Sequence, residues 1–193
     1  DNSFASSPRH FNGREELNII SIGALDQMYK GPDIMLDAIL ECKKNGLIVN
    51  LTWIGGGVYL EKMKELAQSM NLQDQVNFTG MITDRTKIEE ALDKADMFVL
   101  ASRTEGLPRA MIEAMARGLP CIGSDVGGIP QLLNKDYLFT KEDAHGLANL
   151  LQSKSADNNE LVAMSTANIE TAKLYANSKL DKERIGFYKA VLS

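Results

Sequence analysis

From Leu17 onward the chain alternates short β-rich apolar runs with stretches whose apolar residues recur at helical spacing, and the alternation repeats about six times. "LNIISIGAL" precedes a helical stretch at 32–46, "IVNLTWIG" one at 59–72, "VNFTG" one at 84–96 and "MFVLAS" one at 108–117. "PCIGSD" is followed by a short helix near Pro130, and "YLF" leads into 143–154. Leu60, Met63, Ala67 and Met70 share one helical stripe, as do Ile88, Ala91, Leu92 and Ala95. The strand-like runs are nearly continuous in apolar character, which is the pattern of parallel strands covered by helices on both faces. The expected fold is therefore α/β, a doubly wound Rossmann-like parallel sheet of about six strands. Two more helices are expected from Asp157 to the end, the last with Ile185, Tyr188 and Leu192 on one stripe.

The length of 193 residues suits a single core of this kind. The first 16 residues, "DNSFASSPRHFNGREE", are polar and aperiodic and read as a linker from something upstream, with the domain running over 17–193. A net charge of −5 gives no general attraction to nucleic acid or anionic lipid, so an anionic ligand has to be held locally. Cys42 and Cys121 are far apart, with no metal-site spacing, and Cys42 falls on the stripe Met35, Ala38, Ile39, which makes it a core residue and suits a reducing cytoplasm. No signal peptide and no apolar run of membrane-spanning length is present, while peripheral association with the inner face of a membrane stays open.

In a doubly wound sheet the ligand crevice lies beyond the carboxyl ends of the strands. The loops expected there each carry glycine: 23–31, 55–58, 80–84, 102–109 and 124–128. Lys30 stands just before Pro32, a residue suited to a first helical turn, where a lysine is either an exposed surface charge or a partner for phosphate near helix-terminal amides. The glycines at 55–57 match neither a P-loop nor a complete dinucleotide fingerprint and read as a tight turn. Glu105 precedes the helix that Pro108 would open, beside the amides of Gly106 and Leu107; it is a helix-start acid or a ligand-facing carboxylate. Arg109, Glu113 and Arg117 are spaced to form a salt-bridge ladder on one helical face. The other reading of Glu113 is that its two carboxylate oxygens accept hydrogen bonds from vicinal hydroxyls such as those of a ribose. His10 sits in the linker and His145 at an expected helix start with no titratable partner nearby in sequence, so neither reads as a general base, and no nucleophilic triad or metal-ligand spacing can be assembled.

The stretch "ASRTEGLPRAMIEAMARGLPCIGSDVGGIPQLL" resembles the signature region of the group 1 glycosyltransferases, the family-4 retaining class with the two-domain B-type fold. Glu105 and Glu113, with seven residues between them, match the family's paired-glutamate motif, and "IISIGALDQMYKGPDIMLDAI" and "VNFTGMITD" extend the likeness over residues 17–155. The resemblance implies the C-terminal, donor-binding half of a transferase that needs no tightly bound cofactor or metal and takes a UDP- or GDP-sugar as donor. It assigns Glu105 to the donor sugar, Lys30 to the diphosphate and Glu113 to the ribose. Gly23, Gly106, Leu107 and Pro108 would serve donor binding, and Ile82 would border the base. Relatives commonly have arginine at Ala24, and either Arg103 or a residue of the other domain is the expected substitute cation; Gln131 also stands where glutamate is common. A glycan or lipid-linked acceptor and the family's usual catalytic histidine would belong to an N-terminal domain. The alternatives are a nucleotide-sugar epimerase on the same fold and a binding module without turnover.

Overall fold

The structure is a computed structural model that describes residues 4–9 and 16–175. Six parallel strands, β1 (Glu16–Ile22), β2 (Ile48–Ile54), β3 (Val76–Gly80), β4 (Met97–Leu100), β5 (Cys121–Ser124) and β6 (Leu138–Phe139), form one sheet in the order β3-β2-β1-β4-β5-β6. The order reverses direction between β1 and β4, so the two loops leaving these strands diverge and open a crevice at their carboxyl ends. The helices are α1 (Pro32–Lys44), α2 (Leu60–Ser69), α3 (Arg85–Lys94), α4 (Arg109–Ala116), α5 (Ala144–Ser155) and α6 (Asn158–Leu174), with short 3₁₀ turns at Met28–Lys30, Ile129–Gln131 and Lys135–Tyr137. The expected last helix, with Ile185, Tyr188 and Leu192, lies outside the described residues.

The sheet is buried on both faces, and adjacent strand residues go to opposite cores. Ile19, Trp53 and Val99 join Met35, Ile39, Met63 and Leu147 under α1, α2 and α5. Ile20, Ile54 and Phe98 join Leu92, Met111, Met115 and Cys121 under α3 and α4. This two-sided burial is why the strands read as unbroken apolar runs. Cys42 is fully buried on α1, where burial pushes its thiol up to about 11. On α6, Leu161, Met164, Ser165, Asn168, Ile169 and Ala172 are buried at helical spacing, and the Asn168 amide donates to the Leu119 carbonyl at 2.6 Å.

Part of the segment read as a linker is packed on this body. Phe4 lies against the second core and the Ala5 amide donates to the Ala116 carbonyl at 2.7 Å. The Arg9 guanidinium donates to the carbonyls of Leu92 (3.0 Å), Asp93 (3.1 Å) and Ala95 (2.8 Å) at the end of α3, and to that of Arg117 (3.0 Å) just past α4. Carbonyls at a helix C-terminus lack intrahelical partners and carry the negative end of the dipole, so one cation fastens the ends of two helices.

Candidate functional site

The loop after β1 ends in the 3₁₀ turn Met28–Lys30 and passes into α1 through Gly31, whose φ of +66° is left-handed. A Cβ at Gly31 would lie 1.9 Å from the Ala101 carbonyl oxygen, so only glycine lets this turn sit against the end of β4. The Lys30 side chain runs over Gly23, where an added Cβ would stand 3.0 Å from the lysine Cγ. Its ammonium reaches Glu105 in the loop after β4, with Nζ 2.5 Å from Oε2 and both side chains largely buried, 16% and 11% exposed. The same Oε2 accepts from the buried Ser102 hydroxyl at 3.0 Å, while the buried Ser124 hydroxyl donates to the Ser102 carbonyl at 2.6 Å. A cation and a carboxylate from the two diverging loops therefore meet in the crevice, 75 residues apart in sequence.

The backbone around Glu105 is held by the loop after β5. Gly127 has φ +55°, and a Cβ there would come within 1.8 Å of the Glu105 carbonyl oxygen; the Gly128 amide donates to the Gly106 carbonyl at 3.0 Å. Among the described residues no acceptor is found for the amides of Gly106 and Leu107. Pro108 precedes α4 as its capping residue instead of opening it, and its carbonyl accepts from the Met111 and Ile112 amides at 3.1 and 3.2 Å. Glu113 lies exposed on α4, with no hydrogen-bond partner for its carboxylate among the described residues. The ladder of Arg109, Glu113 and Arg117 does not form. Arg117 falls one residue past the helix and turns to Asp93, with its Nε 2.6 Å from Oδ1, and to Glu89.

Arg103, a candidate substitute cation for the diphosphate, is engaged by carboxylates on two sides. Its guanidinium grips Asp33 with two hydrogen bonds of 2.9 and 2.8 Å, donates to the Met28 carbonyl at 2.7 Å and to Glu142 at 2.8 Å. The hydrogen bonds of Asp33, reinforced by those of Glu142, hold its pKa above the ordinary value although burial opposes this. Asp33 is pushed up by burial, but the hydrogen bonds and charge of Arg103 win and leave it below the usual carboxylate range. Ile82, in the loop after β3, is half-buried against the core beneath α3 and α4, and among the described residues no hydrogen bond or ion pair links the Glu113 carboxylate to the Lys30–Glu105 pair. Ala24 is exposed at the rim. Ser102, Ser124, Asp33 and Glu142 escaped the sequence reading; only Ser102, three residues before Glu105, had a local signal. A groove at the opposite end of the strands, lined by Leu17, Gly46, Asp96 and Leu161 among others, contains none of these residues.

The chain matches the model of the family described as glycosyl transferases group 1 over residues 5–171. It is 33% identical over 169 residues to the amylovoran biosynthesis glycosyltransferase AmsK of Erwinia amylovora, covering 81% of this chain and 41% of that protein. It is 31% identical over 152 residues to a GDP-mannose-dependent alpha-(1-6)-phosphatidylinositol monomannoside mannosyltransferase of Mycobacterium tuberculosis, covering 73% and 39%. The chain thus spans about two fifths of the length of these curated relatives. Among solved structures it is similar to Anabaena Alr3699/HepE in complex with UDP and glucose, at TM-score 0.80 and 19% identity over 91% of this chain and 48% of that one. It is also similar to the C-terminal domain of the group 1 family protein LpcC from Francisella tularensis, at TM-score 0.70 and 18% identity over 90% and 95%. The six-stranded Rossmann-like sheet is that of the B-type glycosyltransferases, and the chain belongs to the group 1 glycosyltransferase family.

Proposed function

We propose that this chain is the C-terminal, donor-binding domain of a retaining glycosyltransferase that moves a sugar from a UDP- or GDP-sugar to an acceptor hydroxyl in cell-surface polysaccharide or glycoconjugate synthesis. The observation that carries the reading is the contact of Lys30 with Glu105 at the point where the sheet order reverses. A lysine ammonium has three N–H donors, so one can stay on Glu105 while others meet the diphosphate. Glu105 keeps its second oxygen for a hydroxyl of the donor sugar, the amides of Gly106 and Leu107 serve the leaving group, and Glu113 accepts from the ribose diol. Ile82 borders the base, and Gly23 and Pro108 shape the loops that carry these groups. The nearly complete coverage of the LpcC C-terminal domain supports the domain assignment. The UDP in the HepE complex and the GDP-mannose dependence of the mycobacterial relative support the donor class.

In the reaction the bond from the anomeric carbon to the diphosphate oxygen breaks with its electron pair on the diphosphate. The acceptor oxygen bonds to that carbon from the same face, and its proton passes to the departing diphosphate. Negative charge grows on the leaving group, and a fixed cation with oriented amides lowers the barrier by binding that charge more tightly than the ground state. The acceptor and the remaining catalytic groups are contributed by an N-terminal domain, so this chain alone binds donor weakly and transfers nothing. The complete enzyme acts in the cytoplasm, at the inner face of the membrane when its acceptor is lipid-linked; among the described residues no helix is long and apolar enough to cross a membrane.

A second reading, a binding module without turnover, is favoured by one observation: with Ala24 at the rim and Arg103 held by two carboxylates, Lys30 is left with little cationic support. Titration of the chain with UDP, GDP and ADP and their sugar conjugates, read by NMR and repeated on Glu113→Ala, tests donor binding. Perturbations clustered at Lys30, Glu105 and Glu113 that weaken in the variant are expected; their absence from the complete protein as well sinks the reading. Sugar transfer by the complete protein, with the anomeric configuration of its product, separates transferase from module.

A further inference from the structure

Resting on the donor-domain reading, we propose that Arg103 is a positioning residue that fixes the Lys30 turn and does not itself bind the diphosphate. The arginine holds that turn at three places. Its backbone amide donates to the Tyr29 carbonyl at 2.6 Å, its guanidinium to the Met28 carbonyl at 2.7 Å, and the paired bonds to Asp33 tie down the first turn of α1 immediately beyond Gly31. Lys30 is thus enclosed between two anchored backbone segments, both fastened to the loop that carries Glu105 two residues later.

The charges around Arg103 argue against direct contact with an anion. Of the five N–H donors of a guanidinium, four point at Met28, Asp33 and Glu142, and the two carboxylates outweigh its single positive charge. A diphosphate approaching it would meet net negative charge, whereas at Lys30 it meets an ammonium with donors to spare. The planar fork is what lets one side chain serve a carboxylate and a carbonyl together, which a lysine ammonium does not reproduce.

The test is a double-mutant cycle on the full-length protein, with UDP and GDP as probes and uridine and guanosine as controls without phosphate. Arg103→Gln is expected to weaken whichever diphosphate binds by about tenfold, because small misplacements of a charged group are costly, while leaving the nucleoside unaffected. In a Lys30→Ala background the same substitution is expected to cost less than about twofold, since it then has no lysine to act through. Asp33→Asn should behave as Arg103→Gln does, and Arg103→Lys should fail to restore affinity. Thermal unfolding of each variant establishes that it is folded, and Asp33→Asn supplies the comparison if Arg103→Gln is not. An equal loss in both backgrounds means direct phosphate contact and overturns the proposal, as does unchanged affinity in Arg103→Gln. Normal diphosphate binding in Lys30→Ala with impaired binding in Glu113→Ala overturns it by removing its target. Absence of nucleotide binding by the wild-type protein defeats the donor-domain reading and this inference with it.

Discussion

Replacing Lys30 by methionine keeps the aliphatic stem across Gly23 and deletes only the charge, so it isolates the ion pair from the packing. At an effective dielectric of about 20 and a charge separation of about 3.5 Å, the gross attraction is about 5 kcal/mol. Part of it is offset by the hydration that the free groups would regain, and little is regained here because Glu105 is only 11% exposed. The Ser102 hydroxyl stays on the carboxylate but carries no charge. A net loss of about 2–4 kcal/mol follows for a buried carboxylate deprived of its cation, which is about 5–12 °C in melting temperature for a chain of this size. Circular dichroism melts of the chain measure this directly, and the double variant Lys30→Met with Glu105→Gln should recover most of the loss, because no uncompensated charge remains. A single variant that melts with the wild type, or a double variant no better than the single, would refute the claim that the pair is coupled in the folded chain.

Other substitutions separate structure from binding. Gly127→Ala places a Cβ within 1.8 Å of the Glu105 carbonyl on a left-handed backbone, and should both lower the melting temperature and weaken donor binding in titrations. Glu113→Ala should leave stability within about 0.5 kcal/mol, since the carboxylate is exposed and unpartnered among the described residues, while nucleotide affinity falls; urea unfolding paired with calorimetry checks both. Arg9→Met should destabilise the chain, because it strips four carbonyls of their shared donor, and should expose 4–9 to protease. The Cys42 thiol has its pKa raised from near 9 to about 11 by burial. Its contribution to stability is therefore complete below pH 9 and is lost as pH rises through about 11, which denaturant midpoints measured for wild type and Cys42→Ala should show.

The fold was legible because both faces of the sheet are covered. Neighbours such as Ile19 and Ile20, or Phe98 and Val99, enter opposite cores, so each strand appears as an uninterrupted apolar run between helical stripes. From residue chemistry alone the site was legible only as separate pieces, which the family resemblance assigned to one donor. Lys30 and Glu105 each stood at a loop with an ambiguous role, and what joins them is the adjacency of β1 and β4, a property of strand order that local periodicity does not encode. Arg103 shows the same limit from the other side. Ala24, where relatives commonly have arginine, made Arg103 a candidate substitute cation for the diphosphate, whereas its bonds run to Asp33 and Glu142, 70 and 39 residues away. The placement of Arg9 has no local signal because most of its guanidinium partners are backbone carbonyls at helix ends, which leave no residue-type signature.

The charge arrangement also bears on how an anionic donor enters. The Lys30–Glu105 pair is neutral as a unit and the Arg103 cluster is net negative, so neither supplies an excess of positive charge that would attract a diphosphate from a distance. On the donor-domain reading, attraction at close range comes from the remaining donors of Lys30 and from the amides of Gly106 and Leu107, for which no acceptor is found among the described residues; such contacts are short-ranged and directional. Recognition under those terms depends more on fit than on net charge, so affinity for a donor should fall little between low and moderate salt. A steep salt dependence in the titrations would mean that cations from another part of the protein dominate diphosphate binding, and that Lys30 acts mainly to orient Glu105.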